Sequence, residues 1–177
     1  MGWPECYDGR GMDARPLLVE VGRALRLAKL EAVLIGNAAA ALRGVPLTTL
    51  DLDFLFRKTR GSVAKLQRVA DLLSATVMRP FYPASDLYRI VRDEDGLQLD
   101  FMVRIHGPRS YEGLRDRAGT ITIDGESLRV AALADIIKSK RAAGRPRDLA
   151  VMPILERAYE AETPKPKAPA RRPRKRG

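Results

Sequence analysis

Residues 35–54 read IGNAAAALRGVPLTTLDLDF, a stretch that predicts a buried strand, a glycine turn, a short helix, a loop and a second strand. In the second strand, Leu52 and Phe54 share one face, because side chains two residues apart on a strand point to the same side. The opposite face then carries Asp51 and Asp53 next to each other. Two like charges at this spacing repel, and a bound Mg²⁺ would relieve the repulsion because hard oxygen ligands suit it. The alternative is a pair of solvent-facing carboxylates on a half-exposed strand.

The glycine turn before the short helix has the features of an anion site. Gly36 ends the predicted strand Ala32–Ile35 and lets the chain turn sharply. Asn37 is placed as the N-cap of a helix over Ala38–Leu42, a position that asparagine favours. Backbone N–H groups at such a turn point outwards and form an anion site. The alternative is a capped turn that binds nothing.

A third carboxylate lies on a later strand. Leu97–Val103 alternates apolar side chains on one face with Asp100 on the other. Leu87–Val91 is a preceding strand, and Asp93–Gly96 between the two is a turn of the Asp-Gly kind, which predicts a hairpin. The hairpin brings Asp100 onto a strand that can lie beside the strand with the two earlier carboxylates.

Together these features resemble the signature of the DNA polymerase β-like nucleotidyltransferases. In that superfamily a glycine turn precedes an Asp-x-Asp pair, and a neighbouring strand supplies a third carboxylate. Residues 131–149, AALADIIKSKRAAGRPRDL, further resemble the helix lysine and R-P-x-D-L segment of the abortive-infection (AbiEii-like) toxin branch, which includes toxins of toxin–antitoxin pairs. The likeness extends from Leu30 to Leu155. The residues that match the superfamily signature are Gly36-Asn37, Thr49-x-Asp51-x-Asp53 and Asp100.

The resemblance implies a Mg²⁺-dependent transfer of a nucleoside monophosphate from a nucleoside triphosphate (NTP), with Mn²⁺ as the alternative metal. Asp51 and Asp53 would hold metal that bridges the triphosphate, and Asp100 would help to bind the metal that activates the acceptor hydroxyl. The residues expected to contact the nucleotide on this side are Gly36, Asn37 and Thr49.

The same resemblance assigns roles to the helix that follows. Lys140 would reach the triphosphate as a point charge, and Asp148 would orient this lysine or the nucleotide. Lys138 and Arg141 are alternatives, because a helix assignment shifted by one turn changes which basic side chain faces the site. A solvated helix face is the other interpretation of these basic residues.

The predicted fold class is α+β: a polymerase β-like nucleotidyltransferase fold with a mixed central sheet flanked by helices and a short C-terminal helical segment. A chain of 177 residues with 45% hydrophobic residues is expected to form one domain with a sizeable core. We expect an irregular N-terminus (1–15), the nucleotidyltransferase domain (16–162) and a disordered basic tail (163–177). Hydrophobic periodicity and turn residues predict helices over 16–28, from Ser62, over 111–117, 131–143 and 146–161, and a hairpin of strands 120–123 and 127–130.

The net charge of +10 predicts an anionic partner. Thr163–Gly177 carries seven Lys and Arg residues and no acidic residue, so the tail is the basic arm and the body is only mildly basic. Such an arm binds nucleic acid phosphates without sequence preference and in a salt-sensitive way. The single cysteine, Cys6, allows no internal disulfide, and the single histidine, His106, allows neither a histidine metal cage nor a Ser-His-Asp triad. No apolar run is long enough to span a bilayer, and the chain is expected to be cytoplasmic.

Several acceptors and one non-enzymatic role fit these features. An RNA acceptor, above all the 3′ end of tRNA, would use the basic tail, and a toxin-like enzyme of this kind would have a cognate antitoxin. Another possibility is nucleotide transfer to a protein hydroxyl or to a small molecule such as an aminoglycoside. A catalytically silent protein that binds RNA or a partner is a third. The intact set of Asp51, Asp53 and Asp100 favours an enzyme, because a binding-only protein gains nothing from three clustered acids.

Overall fold

The computed structural model describes residues 15–49, 51–78, 86–108 and 110–162. Within these ranges the chain forms a seven-stranded mixed sheet flanked by helices, and the predicted α+β class is confirmed. The strands are β1 (Ala32–Ile35), β2 (Leu52–Phe56), β3 (Thr76–Met78), β4 (Leu87–Arg92), β5 (Leu97–Met102), β6 (Gly119–Ile123) and β7 (Glu126–Val130). The helices are α1 (Arg15–Ala28), α2 (Gly36–Leu42), α3 (Arg60–Leu72), α4 (Tyr111–Arg117), α5 (Leu133–Ala143), α6 (Pro146–Ala150) and α7 (Met152–Glu162).

The order of the strands across the sheet is β3-β4-β5-β2-β1-β7-β6. Strand β2 lies antiparallel to β1 and parallel to β5, and β4 and β5 form the predicted hairpin. The register places Ile35, Asp53, Asp100 and Arg89 side by side across four adjacent strands. The prediction that the strand of Asp100 lies beside the strand of Asp53 is therefore confirmed.

One face of the sheet is closed by aromatic residues and by α1. Phe54 and Phe101, which pair across β2 and β5, stack with ring centroids 5.0 Å apart. Helix α1 crosses the same face so closely that a Cβ on Gly22 would lie 3.3 Å from Glu126 Cβ. The aspartates of β2 and β5 alternate with these core residues and therefore lie on the other face. On that side α2 contacts β1 and β2, and α5 packs against α2.

Helices α3 and α5 begin at residues other than the predicted ones. The helix predicted to open at Ser62 begins at Arg60, because Thr59 is its N-cap. Thr59 Oγ1 accepts the Ser62 N–H at 3.0 Å and Ser62 Oγ accepts the Thr59 N–H at 2.7 Å, which is a reciprocal capping box. The helix predicted to begin at Ala131 begins at Leu133. Ala131 still extends the sheet, since its N–H bonds to a carbonyl of β1 at 2.9 Å.

The C-terminal helical segment is divided where the prediction had one helix over 146–161. Helices α6 and α7 are separated at Val151. Pro153, in the first turn of α7, has no N–H to continue the hydrogen bonds of α6, and a proline suits the first turn of a new helix. Strand β3 was not predicted at all, because Thr76–Met78 is too short to show an alternating pattern.

The predicted basic tail (163–177) and most of the predicted irregular N-terminus (1–15) lie outside the described residues. Arg15 is the exception, because it already belongs to α1. The disorder of both ends therefore stays a prediction. Among the described helices, none combines the length and apolar character that a membrane crossing needs.

Candidate active site

Asp53 lies at the centre of the candidate site and packs against the glycine turn. It pairs with Ile35 across β1 and β2, so its side chain lies next to the residue that follows β1. That residue is Gly36, whose φ is +69°, and a Cβ added to it would lie 2.7 Å from Asp53 Oδ2. The left-handed backbone and the close approach both require glycine. The predicted turn and the predicted carboxylate are therefore one structural unit.

The pKa of Asp53 is raised to about 6, first by burial and then by the negative charges of Asp100 and Asp51. The positive charges of Lys140 and Arg145 act in the opposite direction. Asp53 thus lies between two groups of opposite charge. The acidic side of the site is formed by Asp51 and Asp100 together with Asp53 itself. The basic side is formed by Lys140 and Arg145. Such an arrangement suits the joint binding of a cation and a polyanion.

Asp51 lies before β2 and not within it, which corrects the prediction that both carboxylates belong to the strand. The Thr49 hydroxyl accepts the Asp51 N–H at 3.2 Å and donates to the Asp51 carbonyl at 3.3 Å. The strand starts only at Leu52 because these backbone groups bond to Thr49 instead of to a neighbouring strand. Thr49 therefore shapes the approach to β2, and its contact with a nucleotide stays a prediction.

Asp100 is held by an arginine that the sequence prediction missed. Arg89 faces it across the β4–β5 hairpin and donates from Nε to Oδ1 at 2.7 Å and from Nη2 to Oδ2 at 2.8 Å. The Asp100 side chain is 13% exposed and that of Arg89 is 32% exposed. A signal for this pair was present in the sequence, because the Asp93–Gly96 turn sets a register in which the two residues are directly opposite.

On the basic side, the buried carboxylate of Asp148 holds two cations. Lys140 Nζ donates to Asp148 Oδ1 at 3.1 Å, and Arg145 Nε donates to Asp148 Oδ2. Burial raises the pKa of Asp148, but the hydrogen bonds from Arg145 and Lys140 outweigh burial and leave it below its ordinary value. Lys140 and Asp148 are thus in contact. Arg145 was missed by the sequence prediction, although it stands one helical turn before Asp148.

Lys138 and Arg141, the alternatives to Lys140, lie in different surroundings from it. Lys138 is exposed, and Arg141 pairs with Glu156 of α7 at 2.6 Å. Of the three basic side chains on α5, Lys140 is the one that is buried and that acts on the pKa of Asp53. The structure turns Arg141 toward α7 and not toward Asp53.

Asn37 is not the N-cap that the sequence predicted. Helix α2 begins at Gly36, which leaves Ile35 in the cap position, where no side chain bonds to the helix. The left-handed φ of Gly36 turns the chain directly into the helix, and the cap therefore falls two residues earlier than predicted. Asn37 Oδ1 is buried and has no hydrogen-bond partner among the described residues. A buried amide oxygen without a partner costs free energy, and a ligand at this turn would supply the missing bond.

The oxygen donors on the acidic side fit a hard divalent cation. Within the described ranges, no three Asp, Glu, His or Cys side chains are grouped closely enough to form a complete metal cage. Mg²⁺ does not need one, because it is commonly bound by one or two carboxylates together with substrate phosphates. The raised pKa of Asp53 shows that its negative charge is poorly compensated in the protein alone. A cation beside Asp51 and Asp53 would relieve that cost.

The fold is that of solved nucleotidyltransferases. The antibiotic-resistance factor ANT(2'')-Ia superposes with a TM-score of 0.61 at 18% identity, over 85% of this chain and 88% of that protein. Its complex with adenylyl-2''-tobramycin gives a TM-score of 0.60 at 15% identity, over 85% and 92%. The lincosamide antibiotic adenylyltransferase LnuA, solved with lincomycin, gives 0.57 at 10% identity, over 84% and 98%.

JHP933 from Helicobacter pylori superposes with a TM-score of 0.54 at 22% identity, over 85% of this chain and 70% of that protein. No protein-family model matches the sequence, and no curated protein matches it at the sequence level. The structural likeness establishes a nucleotidyltransferase fold, as the glycine turn and the Asp-x-Asp pair predicted. Membership of the toxin branch stays a prediction.

Proposed function

We propose that the chain is a Mg²⁺-dependent nucleotidyltransferase that moves a nucleoside monophosphate from an NTP to an acceptor hydroxyl. Asp53 carries the proposal, because its pKa is raised to about 6 between two further carboxylates and a buried lysine. Such a carboxylate is costly to a protein that binds no cation, and groups with strongly shifted pKa values concentrate at functional sites. The fold supports the same class of activity, since it is shared with an antibiotic adenylyltransferase.

The metal would be held on the acidic side of the site. Asp51 and Asp53 are the proposed ligands, with Asp100 as the third carboxylate and Mn²⁺ as the alternative ion. When bound, a divalent cation neutralises the triphosphate and stabilises the charge that develops during transfer. The rest of the chemistry is positioning and charge compensation by the protein's own side chains.

The transfer itself exchanges one phosphorus–oxygen bond for another. The acceptor oxygen bonds to the α-phosphorus while the bond to the bridging oxygen breaks, and that electron pair leaves with pyrophosphate. Lys140 and Arg145, both oriented by Asp148, compensate the charge of the leaving pyrophosphate. Asn37 lines the phosphate side of the turn, and the acceptor hydroxyl loses its proton to water as its oxygen bonds to the α-phosphorus.

We infer that the acceptor is RNA, with the 3′ end of tRNA as the first candidate. The support is the basic arm, which carries seven Lys and Arg residues and no acid. A cationic arm of this kind gathers polynucleotides by releasing their counterions. A toxin-like RNA-modifying enzyme with a cognate antitoxin is the form of this proposal that matches the sequence resemblance.

A small-molecule acceptor is the second candidate. ANT(2'')-Ia was solved with adenylyl-2''-tobramycin, and LnuA was solved with lincomycin. The present chain covers 92% and 98% of those two proteins, so the likeness spans nearly their full length. A protein hydroxyl is a further alternative that the same experiment can detect.

The experiment that tests the proposal is a labelling reaction. The purified protein and Mg²⁺ are incubated with each α-labelled NTP and with total tRNA, with tobramycin and lincomycin, or with no added acceptor. Label in tRNA with the wild type and not with Asp53→Asn would support the RNA proposal and identify the nucleotide. Label in an antibiotic, or in the protein itself, would move the assignment to that acceptor. No label in any reaction would contradict nucleotidyl transfer.

Removal of the tail (163–177) is expected to weaken RNA binding and to flatten its salt dependence. Each phosphate contact with a single-stranded RNA contributes roughly −0.7 to the slope of log K against log salt, so the loss of up to seven contacts would be large. Filter binding over a range of salt concentrations measures the slope. A full-length variant with its seven basic tail residues changed to glutamine is the control for chain length. An unchanged slope would place the RNA site on the folded body.

Gly36→Ala is expected to reduce transfer by about 100-fold, because a Cβ at 2.7 Å displaces the Asp53 carboxylate from its position. The left-handed φ also costs about 1–2 kcal/mol of stability for alanine. Gly125→Ala is the matched control, since Gly125 has a φ of +86° and open space where a Cβ would lie. Both variants should show similar losses of Tm, and only Gly36→Ala should lose transfer. Equal transfer by the two variants would contradict the proposed role of the turn.

A further inference from the structure

The ion pair between Arg89 and Asp100 uses both oxygens of the carboxylate. Two parallel N–H···O bonds of 2.7 and 2.8 Å form the planar fork that is the strong form of this interaction. The Asp100 side chain is only 13% exposed, so solvent weakens the pair less than it would a surface ion pair. Drawing the carboxylate away from this arginine would break both bonds of the fork in a partly buried place, which is costly.

The other two carboxylates of the acidic side, Asp51 and Asp53, do not share the ion pair that holds Asp100. The ion pairs of the site join Arg89 to Asp100 and join Lys140 and Arg145 to Asp148. Asp51 and Asp53 take part in none of these pairs. They are therefore the carboxylates whose charge a metal ion can compensate without breaking a pair that the protein already has.

The net charge of the acidic side also separates Asp51 and Asp53, as metal ligands, from Asp100. Three carboxylates and the Arg89 guanidinium leave a formal charge of −2, which one divalent cation neutralises. A second divalent cation on Asp100 would stand next to Arg89, where two positive charges repel each other, or would have to displace it. The second cation of the site is thus already supplied by the protein.

We propose that the centre binds one metal ion, on Asp51 and Asp53, and that Arg89 takes the place of a second ion. Asp100 is then the anchor of Arg89 and not a metal ligand. Arg89 is a positioning residue that holds a fixed positive charge beside the acceptor hydroxyl. This inference rests on the proposed nucleotidyl transfer and specifies how many metal ions that transfer uses.

The test counts the Mn²⁺ ions that each chain binds in the presence of an NTP analogue with an α,β-methylene bridge, by the electron paramagnetic resonance signal of free Mn²⁺. We expect one ion for the wild type and one for Asp100→Asn, with an affinity within threefold of the wild type. Asp53→Asn should weaken binding at least tenfold. Asp93→Asn, which removes an exposed carboxylate from the turn of the same hairpin, is the control and should match the wild type.

Two Mn²⁺ ions on the wild type would overturn the inference and leave the proposed nucleotidyl transfer standing. Asp100→Asn that weakens Mn²⁺ binding as strongly as Asp53→Asn would also overturn it. No Mn²⁺ on the wild type would count against the proposed function as well as against the inference. Arg89→Met should free Asp100 and admit a second ion. Arg89→Lys, which keeps the charge and loses the fork, should still bind one ion and should transfer more slowly.

Discussion

Asp53→Asn is expected to stabilise the metal-free protein at pH 8 while it removes nucleotidyl transfer. Folding raises the pKa of Asp53 from its ordinary value of 3.8 to about 6, chiefly through burial. The ionised carboxylate is therefore destabilising in the folded state. The contribution of Asp53 to stability is most favourable when its carboxyl is protonated, at a pH below about 4, and it is lost as the pH rises through about 6. A shift of this size corresponds to at most about 3 kcal/mol.

The stabilisation should be visible as a rise of several degrees in Tm at pH 8 for a domain of this size. At about pH 4 the two proteins should differ much less, because Asp53 is then protonated in the folded chain and partly protonated in the unfolded chain. Mg²⁺ should raise the Tm of the wild type and not that of Asp53→Asn. Asp51→Asn, at an exposed position, is the control and should change the Tm less. An Asp53→Asn protein less stable than the wild type at pH 8 would contradict the explanation.

The loss of transfer in the same variant should be about 1,000-fold, since a metal ligand contributes several kcal/mol of charge stabilisation. The two effects have one cause. The carboxylate that is unfavourable in the empty site is the one that a bound cation would use. A variant that gains stability and loses transfer thus distinguishes a functional carboxylate from a structural one.

Asp148→Asn is expected to destabilise the protein by about 3–5 kcal/mol, because it leaves the buried Lys140 ammonium without its carboxylate. Asp148 is 3% exposed and also holds Arg145, so both cations of the basic side lose their orientation. Chemical denaturation measures the change. Glu156→Gln removes the exposed partner of Arg141 and is the matched control, with an expected change below about 1 kcal/mol.

A double variant separates the structural role of this ion pair from its role at the site. Lys140→Met combined with Asp148→Leu replaces a buried ion pair by apolar side chains, which is often neutral for stability. We expect this protein to recover most of the stability that Asp148→Asn loses and to remain without transfer. Recovery of both would show that Lys140 only supports the fold.

The sequence predicted the acidic side of the site better than the basic side. Strand alternation placed Asp53 and Asp100 opposite the core faces of their strands, and the resemblance to the nucleotidyltransferases implied that the two strands are neighbours. The fork from Arg89 follows from the register of the β4–β5 hairpin. An arginine on a strand does not by itself indicate an ion pair, and the pair becomes evident only when the residue opposite it across the hairpin is considered. Arg145 was missed because its contact with Asp148 depends on where α5 ends.

The incorrect assignments have a shared physical origin. Asn37 and Ser62 are residue types that favour a helix N-terminus, and propensity predicted a cap at Asn37 and a helix start at Ser62. In the structure both helices begin at earlier residues. Gly36, with its left-handed backbone, is the first residue of α2, so Asn37 lies inside the helix and is not its cap. Thr59, three residues before Ser62, is the N-cap of α3. Local preference identified the presence of each helix start but not its exact residue.

The parallel pairing of β2 with β5 also determines when the site comes into existence. Helix α3 and strands β3 and β4 separate the two strands along the chain, so the pair has a high contact order. The entropy of closing this loop is lost before the new contacts compensate it, and such pairings form late in folding. We therefore expect Asp53 and Asp100 to meet only after the local hairpin of β4 and β5 has formed. A nascent or partly folded chain is expected to be inert, and a bound cation should slow unfolding without accelerating folding.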